Sequence, residues 1–237
     1  MSRQNIYDQA LFFAQYQRMR EEGAGLNETL ERPAVLRLLP DLRGARAVDL
    51  GCGDGSLCRE LVDRGAAEVT GVDPSARMLD LAHQRTSEGQ VTYIQAFAED
   101  FVARASSVDT VVSSLVLHYL SSDGFKAVIR AVASWLRPGG SVVVSMEHPA
   151  KTASLGAEPT LRNYADEGPK STHWFTDGVV KHHSTLATIC GSFHEAGLTI
   201  TQVLEPMPTV ALVRARPDLA VHRQTPPILV LKAQRGA

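Results

Sequence analysis

Three glycines on alternate positions, Gly51, Gly53 and Gly55, interrupt the apolar run that ends at Leu50, and a helical pattern follows from Leu57. Asp49 and Asp54 flank the first and third of them. About twenty residues on, the spacing of a nucleotide fold, the run Val69-Thr70-Gly71-Val72 closes on a second carboxylate, Asp73. This is a strand, a tight glycine turn and a helix start. Glycine admits positive φ and lets a ligand approach the backbone. The first turn of a helix offers unpaired N–H groups to an acceptor. A carboxylate at the end of the next strand is placed to accept from ribose hydroxyls. The arrangement suits nucleoside recognition, and its spacing narrows the nucleoside. A pyrophosphate seated on a helix wants G-x-G-x-x-G; here the third glycine comes one residue early. The flanking acids would repel a phosphate and suit a cation.

Asp49-Leu50-Gly51-Cys52-Gly53-Asp54-Gly55 resembles the first motif of class I methyltransferases that use S-adenosylmethionine. Gly71-Val72-Asp73-Pro74-Ser75-x-x-Met78-Leu79 is similar to the same family's second strand and following helix. The resemblance implies S-adenosylmethionine as cofactor, held at Asp49, Gly51, Cys52, Gly53, Asp73, Pro74 and Met78. Read by itself, Cys52 is a small apolar spacer in the turn. In the family, the segment matching Ala98-Glu99-Asp100 lines the adenine. Many relatives carry Asp where this chain has Phe97, which leaves Glu99 or Asp100 to accept from the exocyclic amine. The resemblance also places Tyr16 and Arg20 near the methionine end. It runs Ser114, within the stretch Ser113 to Leu120, from cofactor to acceptor. Ser145-Met146-Glu147-His148-Pro149, Tyr164-x-x-Glu167-Gly168, Trp174-Phe175 and His183-x-Thr185-Leu186 extend it, nearly end to end, to a bacterial small-molecule subgroup. Departures fall at Ser184, where relatives often carry Arg, and His182, where they often carry Tyr.

Methyl transfer to a hydroxyl or ammonium would require a proton to leave, and histidine is poised for that near neutral pH. The candidates are His183, His148 and His118. His148 stands beside Glu147, which would orient it or raise its pKa. A neutral amine would need no base. Trp174, Phe175, Tyr119 and Tyr164 predict a partly aromatic pocket for a flat or ring-bearing acceptor. The histidines lack a ligand spacing such as H-E-x-x-H, so no metal is expected.

These residues need a frame. Residues 47–146 alternate strand and helix: strands at 46–50, 68–72, 91–95, 109–114 and 141–146, helices at 56–64, 75–85 and 122–136, and a short helix near 98–104. Continuous apolar strands such as Val142-Val143-Val144 belong in a parallel sheet covered on both faces. A helix over 184–196 stops at Gly197, and strands follow at 198–204 and 227–233. The resembled fold closes its sheet with these two as an antiparallel hairpin. The expected class is α/β, a Rossmann-like seven-stranded mixed sheet with helices on both faces and the last strand antiparallel, plus a small cap. One domain would span 1–237. Its segment 1–40 forms an N-terminal helical cap, with Gly23-Ala24-Gly25 interrupting the helices. Residues 147–183 form a lid over the acceptor site, including a hairpin centred on Asp177-Gly178. Residues 206–226 form a long connection.

The chain has 237 residues, 44% apolar and 21% charged, with a net charge of −2. That excludes a disordered chain and offers no cationic field for a phosphate backbone, so nucleic acid is not an expected partner. No apolar stretch approaches the ~20 residues of a membrane span. Three scattered cysteines suit a reduced, cytoplasmic protein. The expectation is a monomer or homodimer acting on a small-molecule acceptor, in secondary metabolism. Alternatives are a nicotinamide oxidoreductase, a non-catalytic ligand-binding protein of the same fold, and a methyltransferase for protein or RNA.

Overall fold

The computed structural model describes residues 3–23, 25–155 and 163–237. Residues 156–162 of the expected lid and Ala24 of the expected glycine break lie outside the described residues. The frame is a sheet of seven strands: β1 (Arg46–Leu50), β2 (Glu68–Asp73), β3 (Thr92–Gln95), β4 (Val108–Ser114), β5 (Leu136–Glu147), β8 (Leu198–Leu204) and β9 (Ile228–Arg235). Their order is β3-β2-β1-β4-β5-β9-β8. Strands β1 to β5 pair in parallel, and β9 runs antiparallel to both β5 and β8. The last strand is therefore the antiparallel one, as expected.

Alternation along each strand divides the core in two. Val48, Val111, Val142, Val144, Leu229 and Leu231 face one way. There they meet Phe125, Val128, Ile129 and Val132 of α5 (Ser122–Trp135) and Ile189 and Phe193 of α7 (Leu186–Glu195). Ala47, Val112, Val143, Ile228 and Val230 face the other way. These meet Ala34, Val35 and Leu38 of α2 (Arg32–Leu38) and Leu57, Cys58 and Leu61 of α3 (Ser56–Asp63). Period-two alternation with both faces apolar leaves a central strand no solvated side, so helices must cover each face. α4 (Ala76–Arg85) follows β2, capped by the Ser75 hydroxyl, which accepts from Met78 N at 3.2 Å.

A third, smaller cluster holds a cap to this frame. α1 (Ala10–Glu21) brings Phe12 and Tyr16 against Trp174 and Phe175 of a second, two-stranded sheet, β6 (Gly168–Trp174) and β7 (Thr176–His183). Phe12 meets Trp174 and Phe175 edge-on at 5.3 and 5.5 Å between ring centroids. The N-terminal strap ties hairpin to sheet. Gln4 Oε1 accepts from Val180 N at 2.9 Å, Asn5 Nδ2 donates to Pro74 O at 3.2 Å, and Ser75 Oγ donates to Asp8 Oδ1 at 2.6 Å.

Several expectations are corrected. The hairpin does not turn at Asp177-Gly178. Trp174 pairs with Thr176 across Phe175, whose φ is +60°, and Asp177 and Gly178 lie inside β7. The buried aromatic cluster outweighs the local preference of Asp-Gly for a turn. No helix forms near 98–104; residues 98–100 make a turn and 101–104 are irregular. The long connection 206–226 carries α8 (Val210–Ala215) and a 3-10 segment, Pro217–Arg223. A short α6 (Pro149–Ala153) follows β5, with His148 as its N-cap.

Candidate functional site

The strand order reverses between β1 and β4, which opens a crevice beyond the carboxyl ends of the parallel strands. A cavity of about 870 Å³ occupies it. Its floor is the glycine turn. Gly51 and Cys52 both donate to Val72 O, at 2.7 and 3.0 Å, which bends the chain sharply after β1. Gly51 has φ +78°, and a Cβ there would stand 2.0 Å from Val116 Cγ2. Gly53 has φ +54°, and a Cβ there would meet nothing within 4 Å. The first glycine is needed for packing; the second leaves open space facing the cavity.

Asp73 closes β2 at the same place. Its Oδ2 accepts from Gly53 N and its Oδ1 from Ser75 N, both at 2.9 Å. These bonds fix the carboxylate between glycine turn and α4, with lone pairs left for a ligand. Burial pushes its pKa up to about 6, although both backbone N–H groups oppose that. Beyond β3, Glu99 lines the cavity with a buried Oε2 that has no partner. Asp100 is not on the cavity wall; its carboxylate takes the Arg3 guanidinium at 2.5 Å. Of the two acids left open for an exocyclic amine, the structure puts Glu99 at the cavity. Pro74, Met78, Ala98, Ser114 and Tyr16 also line it.

Three of the residues expected at the cofactor do not reach the wall. Arg20 is paired with Glu28 at 2.7 Å. Cys52 is buried behind the turn. Asp49 is buried beneath it, where Cys58 Sγ donates to Oδ2 at 3.4 Å and Oδ1 has no partner. Burial raises its pKa to about 7. A further acid escaped sequence reasoning. Glu31, fully buried just before α2, accepts from Ser114 Oγ at 2.7 Å and Ser145 Oγ at 2.5 Å. Burial raises its pKa as well. Its position inside a helical pattern carried no signal of that role.

The histidines divide sharply. His183 is 0% exposed and away from the cavity. Its Nδ1 pairs with Thr152 Oγ1 at 2.7 Å, and its Nε2 donates to Tyr164 O at 2.8 Å. His148 caps α6, its Nδ1 accepting from Ala150 N at 3.0 Å, and its Nε2 meets Glu205 at 2.8 Å. Its partner is thus Glu205, not the adjacent Glu147, and burial lowers its pKa rather than raising it. With every ring nitrogen engaged away from the cavity, the geometry brings neither residue to a proton-accepting position. His118 does line the cavity, but its Nδ1 accepts from Glu147 N at 3.4 Å. Burial lowers its pKa to about 3. The remaining ring nitrogen of this neutral imidazole carries the proton, so it donates and does not accept. His182, singled out only as a departure, does line the cavity. It has no side-chain partner among the described residues, and burial lowers its pKa.

The wall expected to hold an acceptor is aromatic, though its membership differs from that expected. Trp174 and Tyr119 line it, joined by Tyr7; Phe175 and Tyr164 do not. Tyr164 instead receives Leu186 N at its hydroxyl, 2.9 Å away. Glu147, Lys151 and Lys181 complete this end. Lys181 is buried on β7 at alternate positions with Val179 and His183.

An adenosyl group fits the residues present. The open space at Gly53 admits a ligand against the backbone, Asp73 offers a fixed carboxylate beside it, and Glu99 holds an unpartnered acceptor.

A family model described as methyltransferase domain matches residues 47–140. The chain is 32% identical to an uncharacterized protein of Haemophilus influenzae, across 98% of this chain and 97% of that one. It is 32% identical to the ubiquinone biosynthesis O-methyltransferase of Xanthomonas euvesicatoria pv. vesicatoria, across 69% of this chain and 66% of that protein. Among solved structures it resembles an S-adenosylmethionine dependent methyltransferase from Mesorhizobium loti, with 36% identity and a TM-score of 0.79, covering 86% of this chain and 96% of that one.

Proposed function

The chain belongs to the S-adenosylmethionine-dependent methyltransferase family, and from that premise we propose that it methylates an N, O or C atom of a small, ring-bearing metabolite. The observation that carries this reading is one continuous cavity of about 870 Å³. It runs from Asp73 and Glu99 past the glycine turn to Trp174 and Tyr119. Its size falls near the top of the range of about 300–1,000 Å³ seen for small-molecule sites, which suits a cofactor and a small acceptor side by side. α1 and the β6–β7 hairpin wall it on the side away from the sheet, which favours a small molecule over a protein or RNA acceptor. A related O-methyltransferase acts in ubiquinone biosynthesis, which supports a ring-bearing acceptor.

S-adenosylmethionine supplies a methyl on a sulfonium, and its leaving thioether needs no proton. In this reading Asp73 holds the ribose hydroxyls and Glu99 accepts from the exocyclic amine. The backbone at Gly51 and Gly53 and the β4 end at Ser114 seat the methionine portion. Trp174 and Tyr119 hold the acceptor ring, and the neutral His118 donates a hydrogen bond to it. Alignment of the nucleophile is the main contribution of these walls. For a hydroxyl acceptor, His182 is the group left to take the proton, because burial keeps it neutral with a free lone pair. Placement in the cytoplasm and action as a monomer or homodimer belong to the same proposal; the three cysteines are unpaired, which suits a reducing compartment.

Calorimetric titration of the pure chain with S-adenosylmethionine and with NADH tests the reading. Binding of the first and not the second is expected. Asp73→Ala should weaken that binding by about 1.5–3 kcal/mol, the worth of hydrogen bonds to a charged group. Tight NADH binding without affinity for S-adenosylmethionine sinks it.

A further inference from the structure

Glu147, Lys151 and Lys181 come from three elements, the end of β5, the short α6 and the cap strand β7. They meet at one point of the acceptor wall. Both ammonium groups donate to the same oxygen, Glu147 Oε1, at 2.6 Å from Lys151 and 2.8 Å from Lys181. Glu147 Oε2 is buried without a partner. Lys181 is 7% exposed and lies 5.1 Å from the centre of the Trp174 ring. Lys151 is the more accessible of the two.

The charges do not balance. With both protonated, one lysine neutralises Glu147 and the second is in excess; burial lowers the Lys181 pKa, against the opposing pull of Glu147. Glu147 stays ionised, since the lysines more than offset the effect of burial and hold its pKa at about 2. The neighbouring His118, His182, Tyr7 and Tyr119 add no charge near neutral pH, while the exposed His173 beside Trp174 is paired with Asp177. His118 and His182 are pushed toward the neutral form by burial, and Tyr7 and Tyr119 are pushed up by burial and stay protonated. The cavity's carboxylates at Asp73 and Glu99 belong to the opposite end, beyond β2 and β3. A buried cation in excess is costly unless an anion meets it. Among the described residues Lys181 Nζ has one hydrogen-bond partner, so two of its three N–H groups are free to meet one.

We propose that Lys181 and Lys151 form an anion subsite that takes the carboxylate of a flat, ring-bearing acceptor lying against Trp174 and Tyr119. This rests on the methyltransferase reading and adds the class of its acceptor. The excess of one positive charge fits a monoanion. A phosphate dianion would leave a net negative charge beside Glu147 in the same buried wall. Carboxylate recognition here also orients the acceptor, because the two lysines meet Glu147 at the end of β5 while the cofactor turn follows β1, two strands away.

The test is ligand-observed NMR titration of the full chain saturated with S-adenosylhomocysteine. The probes are benzoate, the hydroxybenzoate isomers and an indole carboxylate, each beside its own carboxamide. At least one carboxylate should bind the native chain about tenfold or more tighter than its amide, as hydrogen bonds to a charged group predict. Lys181→Met should abolish that preference, so that acid and amide bind the variant about equally. Lys151→Met, at the more exposed lysine, should reduce it, and Lys181→Arg should restore it. Equal binding of acid and amide, no binding of any carboxylate, or a preference surviving both Met variants overturns the proposal. Calorimetry with S-adenosylhomocysteine on the same samples separates the two readings. Intact binding with no carboxylate preference defeats only the anion subsite; absent binding defeats the methyltransferase assignment beneath it.

Discussion

Asp49 is a carboxylate with almost no polar company. It lies beneath the glycine turn, 1% exposed, with one oxygen unpartnered and the other receiving only a thiol. Burial raises its folded pKa to about 7, above the unfolded value of about 3.9. The sign follows. Folding favours the neutral form, so this contribution to stability is full below the unfolded pKa and is lost as pH rises through about 7. Asp49→Asn keeps the shape and removes the titration. Without cofactor, the melting temperature of the variant relative to the native chain should climb between about pH 4 and pH 7 and level off above. At 1.36 kcal/mol per pKa unit, the full difference is at most about 4 kcal/mol. A difference that stays flat with pH would mean that Asp49 ionises freely in the folded chain. The sequence made Asp49, the glycines and Asp73 legible, because a strand, turn and second strand lie within one continuous stretch. It left Glu31 and the lysines of the acceptor wall hidden. Lys181 and Glu147 are 34 residues apart, and only the packing of the hairpin brings them together.

At the scale of elements, the sheet could be read and the cap could not. The central strands β1, β4, β5 and β9 carry their own evidence in apolar runs covered on both faces, and the glycines after β1 and before β8 mark boundaries. The hairpin carries weaker and misleading evidence. Asp177-Gly178 favours a turn locally, yet the register is fixed by Trp174 and Phe175 meeting Phe12. Phe12 is 0% exposed but belongs to neither sheet-face cluster. Removing it should therefore loosen the cap before the frame. Phe12→Ala deletes contacts worth about 3–5 kcal/mol in a well-packed core. Limited proteolysis should then cut the β6–β7 hairpin and α1 faster, while the transition of the seven-stranded sheet moves little. If the variant loses sheet and hairpin together in one transition, with no selective cutting, the cap is part of the cooperative core.

For the molecule as a whole, the cavity is where frame and cap meet, so a ligand in it should couple them. The strap supplies the physical link. Gln4 holds the β7 backbone at Val180, while Asn5 and Asp8 hold Pro74 and Ser75 just past β2. Opening the cap breaks these bonds and exposes the Asp73 end of the cavity. A ligand bound beneath the strap therefore opposes opening. At a concentration of about one hundred times its Kd, S-adenosylhomocysteine should stabilise the folded chain by about 2.7 kcal/mol. For a chain of this size each kcal/mol is worth about 2–4 °C in Tm. Hydrogen exchange locates the effect. Peptides covering the strap, α1 and β7 should slow markedly with ligand, because they open by local rather than global unfolding. Peptides from β4 and β5, already protected by the core, should change little. Asp73→Ala should reduce both responses together, since it weakens the ligand and leaves the strap's own bonds in place. A rise in Tm with no added protection in cap peptides would show that the cofactor product binds the frame alone. The cap would then answer to the acceptor, and the same exchange experiment repeated with a ring carboxylate would be the one to move it.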